Sequence, residues 1–194
     1  MGIVSSILKT DPKNKRALLE KGNIYTWLYD YEKALTEYEK AIELFPNDPQ
    51  CLEYRGLVFL VETKEYEKAI AAFSKCIEID STYLSAYINR ATAYLNLQYS
   101  DKGFSDLNKA IKLDSENLSY YEYRAEWYAY LEDYTNTLKD LSTIIELAPT
   151  EERSLYYNNR ADFYYEQEEY DLALADYAQA IEINTDDNAT SIAI

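Results

Sequence analysis

The chain has 194 residues, with 35 Asp and Glu against 19 Lys and Arg, no His, and a formal charge of −16 at pH 7. The acidic excess argues against nucleic acid, because phosphate contacts need Lys and Arg gathered on one face, and the missing His removes the commonest general base and the commonest metal ligand. No run of 18 apolar residues could span a membrane, four Gly form no G-x-G-x-x-G or Walker loop, and Cys51 and Cys76 are too few for a disulfide scaffold and fit a reduced interior.

The opening residues, MGIVSSILK, lack the basic start and long apolar core of a signal peptide. Gly2 and Ser6 match a myristoylation pattern short enough to arise by chance. The next segments show apolar residues at helical rather than alternating spacing. Residues 15–28 carry Ala17, Leu18, Tyr25 and Leu28. Residues 31–44 carry Ala34, Leu35, Tyr38, Ala41, Ile42 and Leu44. Pro46 and Asp48-Pro49 then stop the second helix and allow another to start.

From there the pattern returns four times. Gly22, Gly56, Ala91, Ala125 and Ala161 are each followed three residues later by an aromatic: Tyr25, Phe59, Tyr94, Tyr128 and Tyr164. A second line runs through Ala34, Ala69, Gly103, Thr137 and Ala173, with Tyr38, Phe73, Leu107, Leu141 and Tyr177 four residues on. A third is Ala41, Cys76, Ala110, Ile144 and Ala180, and each unit closes near Pro46, Ser81, Ser115, Pro149 or Thr185. Such a period marks a solenoid of supersecondary units. Each unit is expected to be a helix, a tight turn and a second helix, and the fold to be all-α.

The order small–x2–aromatic…Ala–x3–aromatic…Ala…Pro at this period resembles the tetratricopeptide repeat, best in residues 15–48. The resemblance covers residues 15–187, as units 15–48, 49–83, 84–117, 118–153 and 154–187, and implies a right-handed superhelical α-solenoid of antiparallel helix pairs. Residues 1–14 read as the second helix of an incomplete unit, since Val4, Ile7 and Pro12 stand one period before Tyr38, Ala41 and Pro46. Residues 188–194 read as a tail or the start of a further helix. One extra residue between Phe59 and Ala69 is expected in the turn around Glu62–Glu65, and two more around Thr150–Arg153. Gly103 and Thr137 in place of Ala suggest looser packing in the third and fourth units.

Charge repeats with the units. Arg90, Arg124 and Arg160 are followed 16 residues later by Asp106, Asp140 and Asp176, and Lys21 by Glu37. Across a helical hairpin these positions face each other, so they are expected to pair within each unit. Arg55 has Ala71 and Ala72 there, which leaves it the freest of the series. Cys51 and Cys76 also oppose each other, with core packing favoured over a disulfide. No nucleophile has a usual base, the carboxylates belong on solvated faces, and the Asn188-Ala-Thr190 sequon needs a secretory context.

In the family that the chain resembles, the inner faces of the first helices take the ligand. Carried over, that face supplies Leu19, Asn23, Trp27, Leu57, Leu60, Val61, Ile88 and Thr92 toward one end. Toward the other it supplies Glu122, Glu126, Tyr130, Asn158, Asp162, Tyr165 and Glu166. The subgroup that grips acidic chaperone C-termini is disfavoured, because Leu19, Glu53, Ser85 and Ile88 stand where basic groups are wanted. The expected function is a non-enzymatic, cytoplasmic protein–protein interaction scaffold without cofactor or metal, binding a protein or peptide with basic and apolar residues. The alternative is a regulatory or targeting array of a larger enzyme or secretion-assembly protein. Association of copies through uncapped ends is a third reading.

Overall fold

The computed structural model describes the backbone of residues 2–192 and the side chains as far as Asn184. Among the described residues the chain is all-α, without strands. A lone helix α1 (Gly2–Thr10) precedes α2 (Lys15–Trp27) and α3 (Tyr31–Leu44). Next come α4 (Pro49–Leu57) and α5 (Tyr66–Ile79), then α6 (Leu84–Asn96) and α7 (Ser100–Leu113). After these follow α8 (Leu118–Tyr130) and α9 (Tyr134–Leu147), then α10 (Arg153–Glu166) and α11 (Tyr170–Ile192). The partners in each pair pack antiparallel, so the helical-hairpin solenoid is the observed fold. The backbone of α11 is helical through Thr185, where the repeat pattern places the end of the fifth unit. The sequon at Asn188 lies outside the described side chains.

Local chemistry explains where the helices begin and end. Asn14, Asp30, Asp48, Asn117 and Asp133 each accept a hydrogen bond from a backbone N–H of the first turn, and Pro49 occupies a first-turn position where no N–H is needed. First helices close in a recurring way. The N–H of Asp30 reaches Tyr25 O at 2.9 Å and that of Tyr29 reaches Thr26 O at 2.9 Å, with Tyr29 left-handed at φ 59°. This is the paired 6→1 and 5→2 bonding that usually selects glycine. Gln98, Glu132 and Glu168 repeat it at φ 63°, 59° and 63°.

The second pair differs by one residue, and the difference lies inside the helix. Val58–Glu62 forms a π-helical segment, with Thr63 N bonded to Val58 O at 3.0 Å and Glu65 N to Phe59 O at 2.8 Å. The residue expected in the turn is thus largely absorbed as a wider helical turn, after which Lys64 resumes the left-handed position at φ 55°. A single inserted residue is what such bulges accommodate. The two residues added after Pro149 are taken up in a three-residue 3₁₀ turn, Thr150–Glu152.

Packing within a pair matches small residues to large ones. A Cβ on Gly22 would stand 2.3 Å from the ring of Tyr38, and Tyr38 is buried only because that space is free. Gly103 follows the same rule. Its missing Cβ is replaced by Leu95, whose Cγ would lie 2.4 Å away, and Leu95 is buried there. The glycine therefore marks a close contact, which corrects the expectation of looser packing. Thr137 is likewise buried, its hydroxyl donating to Asp133 O at 3.0 Å.

The pairs gather into two compact blocks, Met1–Leu113 and Asp114–Ile194. In the first, the core continues from pair to pair: Leu18, Tyr38 and Cys51 belong to one cluster, and Leu52, Phe73, Cys76 and Ala86 to the next. Burying side chains of this size contributes roughly 1.5–3 kcal/mol each.

Candidate functional site

Three arginines form forked pairs with the aspartates 16 residues on. Arg90 donates to both Asp106 oxygens at 2.7 and 2.8 Å, Arg124 to Asp140 at 2.8 and 2.6 Å, and Arg160 to Asp176 at 2.7 and 2.8 Å. Lys21 meets Glu37 at 2.9 Å. Burial raises the Glu37 carboxyl, but the ammonium groups of Lys21 and Lys40 more than offset it, and the group sits below the usual carboxylate range. What sequence spacing did not reveal is the aromatic sandwich around each guanidinium. Arg90 lies 5.8 and 5.9 Å from the rings of Tyr87 and Tyr94, and Arg124 and Arg160 repeat the arrangement with Tyr121 and Tyr128 and with Tyr157 and Tyr164. These charges are internal structure.

Arg55 is not free. It reaches back 16 residues and donates to Glu39 at 2.5 Å. Arg90 does the same to Ser74 Oγ at 3.0 Å, and Arg160 reaches Ser142 Oγ at 2.8 Å. Each of these three arginines therefore ties its own pair to the one before it. Cys51 and Cys76 are free thiols in the core, and Cys76 donates to Pro49 O at 3.2 Å. Burial pushes their pKa values up to about 11 and about 12, so neither is an activated nucleophile.

The inner-face residues divide by burial. Leu19 and Leu60 are only 5% and 7% exposed. Both pack in core clusters, so they are part of the helix packing and present little surface on the inner face. Asn23, Leu57 and Val61 do come together. With Thr26, Tyr38 and Tyr54 they line a hollow of about 250 Å³ between α2 and the α4–π segment, floored by α3. The Tyr38 hydroxyl donates to Asn23 Oδ1 at 2.7 Å, and the ring stacks on Tyr54 at 5.8 Å. Beside it Trp27 stands 89% exposed at the edge of a wider hollow of about 460 Å³. Ile88 and Thr92 are half-buried on α6, with the Thr92 hydroxyl donating to Ile88 O at 2.9 Å.

In the second block Glu122 and Glu126 from α8 face Tyr156, Asn159 and Phe163 from α10. Leu141 and Ile144 of α9 form the floor of a hollow of about 430 Å³. Tyr156 is raised above its ordinary pKa by burial and by its hydrogen bond to Glu122. Asp162 and Glu166 do not line this hollow. Asp162 accepts from the Tyr177 hydroxyl at 2.5 Å, and Glu166 is exposed at the end of α10. Asn158 is half-buried. Tyr130 and Tyr165 are exposed, edge-on to Trp127 and Tyr170 at 5.6 and 5.4 Å. Tyr54, Tyr156 and Phe163, which the inner-face reading left out, come from the following first helix of each hollow.

Among the described residues no three Cys, Asp or Glu side chains gather in a way that could hold a metal ion. No helix there is long and apolar enough to cross a membrane.

Family models described as TPR repeat or tetratricopeptide repeat match residues 22–60, 57–83, 84–117 and 154–187. A curated relative, the DnaJ homolog subfamily C member 7 homolog of Schizosaccharomyces pombe, is 28% identical over 122 residues. That stretch is 54% of this chain and 25% of the relative, so the chain matches about a quarter of that protein's length. Among solved structures, MamA superposes with a TM-score of 0.67 at 18% identity, covering 87% of this chain and 96% of that one. YrrB, a TPR protein with an unusual peptide-binding site, gives 0.64 at 18% identity over 94% and 93%. A tetratricopeptide repeat protein from Parabacteroides merdae gives 0.64 at 24% identity over 93% and 69%.

Proposed function

Because the chain belongs to the tetratricopeptide repeat family, we propose that it is a non-enzymatic scaffold whose inner helix faces capture partner segments bearing apolar and basic residues. The observation that carries this reading is the pair of equivalent hollows, each between consecutive first helices and over a second helix. The first offers Leu57, Val61 and the neighbouring Trp27 to an apolar or aromatic side chain, while the amide of Asn23 supplies a polar rim. The second places Glu122 and Glu126 over an apolar floor, which suits a Lys or Arg whose aliphatic stem is buried while its charge is paired. Likeness in fold to YrrB, which has a peptide-binding site, supports a peptide as the ligand class.

The test is a panel of synthetic peptides, each an apolar segment carrying two Lys or Arg, against counterparts with Glu in place of the basic residues. The basic set should bind, more weakly as salt rises. Equal binding of both sets would overturn the assignment of the second hollow.

A further inference from the structure

Tyr156 and Phe163 stand seven residues apart on α10 with Asn159 between them, and all three line the second hollow. The three internal arginines lie between rings spaced in the same way, each guanidinium 5.7 to 5.9 Å from both. The order within the spacing agrees as well. Asn159, like Arg90, Arg124 and Arg160, follows the first ring by three residues and precedes the second by four. The hollow thus carries the aromatic half of an arginine sandwich, with a short amide where the arginine stem would start.

Carboxylates complete the likeness. Each internal guanidinium gives both arms to an aspartate of the helix packed against it. Across the hollow Glu122 and Glu126 stand one turn apart on α8, facing the two rings of α10. Both rings are held in place before any ligand arrives. The Tyr156 hydroxyl donates to Glu122, and the Phe163 ring meets that of Tyr134 edge-on at 5.7 Å. Little ordering is left for binding to do. Glu122 keeps acceptor capacity beyond the tyrosine bond, because a carboxylate has about four lone-pair sites.

Helix packing does not demand this pair of rings. The same two places hold Ala17 and Ile24, Cys51 and Val58, or Ala86 and Ala93 in the first three units. In the fourth, Tyr120 and Trp127 have a third ring, Tyr123, between them. Nor does the chain supply its own cation. From residue 114 onward the sequence has Arg124, Lys139, Arg153 and Arg160, and none of them lines the hollow. Arg124 and Arg160 occupy their own sandwiches, Arg153 donates to Ala148 O at 2.9 Å and Glu146 O at 3.2 Å, and Lys139 is exposed.

We propose that the second hollow is an arginine socket, in which the guanidinium of a partner segment lies between Tyr156 and Phe163 and is paired by Glu122 and Glu126. The proposal rests on the capture of basic segments at this hollow and adds to it a choice of Arg over Lys. A planar, weakly hydrated guanidinium stacks on ring faces while its N–H groups reach the carboxylates as a fork. An ammonium is a compact, strongly hydrated charge that forms no such fork.

The probes are synthetic apolar peptides carrying two Arg, the same peptides with two Lys, and the same with two Glu, titrated by fluorescence anisotropy. The Arg form should bind about fivefold or more tighter than the Lys form. Phe163→Leu and, separately, Tyr156→Leu should bring the two within about twofold of each other while the helical spectrum stays intact. In the complex with the unaltered protein, the δ-methylene protons of a bound arginine should shift upfield under the two ring currents, a readout that needs no variant. Equal binding of the Arg and Lys forms, both tighter than the Glu form, would overturn the arginine socket and leave the capture of basic segments standing. Equal binding of all three would overturn both. An Arg preference that survives both ring changes, or bound arginine protons that do not shift, would also overturn the socket.

Discussion

The two hollows occupy the same place in the repeat and differ in character, one largely apolar and aromatic with a single glutamate, the other rimmed by two. Asn23 and Thr26 in the first block stand where Glu126 and Ala129 stand in the second, and Tyr54 and Val58 correspond to Asn159 and Phe163. The second helix contributes Tyr38 below one and Leu141 below the other. The first hollow has a stacked tyrosine pair, an amide and a π-helical wall carrying Val61, which is 59% exposed. The second keeps a regular helix and lines it with carboxylates. The same backbone thus makes a mostly apolar and aromatic socket, with Glu62 at its edge, or one rimmed by two glutamates, according to a few inner-face residues above a floor drawn from the buried packing lines.

The structural charges differ between the blocks as well. Asp140 is 2% exposed and gripped by both arms of Arg124, whereas Arg55 of the first block relies on the exposed Glu39 and leaves its buried Nε without a partner. Asp140→Ala should therefore produce the largest loss. It removes both carboxylate bonds of a half-buried guanidinium and is expected to lower stability by about 3 kcal/mol, measured by urea unfolding. Glu39→Ala should cost no more than about 1 kcal/mol, as for surface pairs. Comparable losses at the two sites would break the contrast.

Binding to a basic-apolar peptide sharpens the comparison of the sockets. Trp27→Ala should speed dissociation, with a loss of about 2 kcal/mol if the indole is the central anchor of the first socket. Glu126→Lys should chiefly slow association and flatten its salt dependence, read by stopped-flow mixing at two ionic strengths. A change confined to dissociation in both variants would mean that the second socket does not steer.

Gly103→Ala forces a Cβ against Leu95 and is expected to cost about 1–3 kcal/mol. Leu95→Ala in the same chain should recover part of that loss, and strictly additive costs would show that the two do not share one space. The smallest effect expected is a gain. Tyr29 in the first block and Glu132 in the second hold the left-handed backbone at the end of a first helix. Replacing either by Gly should raise stability by roughly 1 kcal/mol, visible as a higher thermal midpoint.

Much of the fold is legible in the residues, and less of the site. The lines of small and large residues predict the helix pairs, and the 16-residue spacing predicts the Arg–Asp contacts, because both are set inside one hairpin. The π segment is not legible, since spacing shows that a residue is extra and not where the helix absorbs it. Arg55 looks free within its own hairpin, because its partner Glu39 belongs to the pair before.

Periodicity alone therefore determined the all-α architecture, the pairing of helices and the internal ion pairs: local helix geometry and a tight turn fix which residues of one hairpin meet. Only the tertiary structure decided that Leu19 and Leu60 are core while Asn23, Trp27 and Val61 face outward. It also decided that Glu122 and Glu126 share a hollow with Tyr156 and Phe163 while Asp162 turns to Tyr177. The Asp162 contact is made inside one hairpin but by side-chain choice, and the others depend on how one pair covers the next, between side chains about a period apart, to which the repeat in the sequence is indifferent.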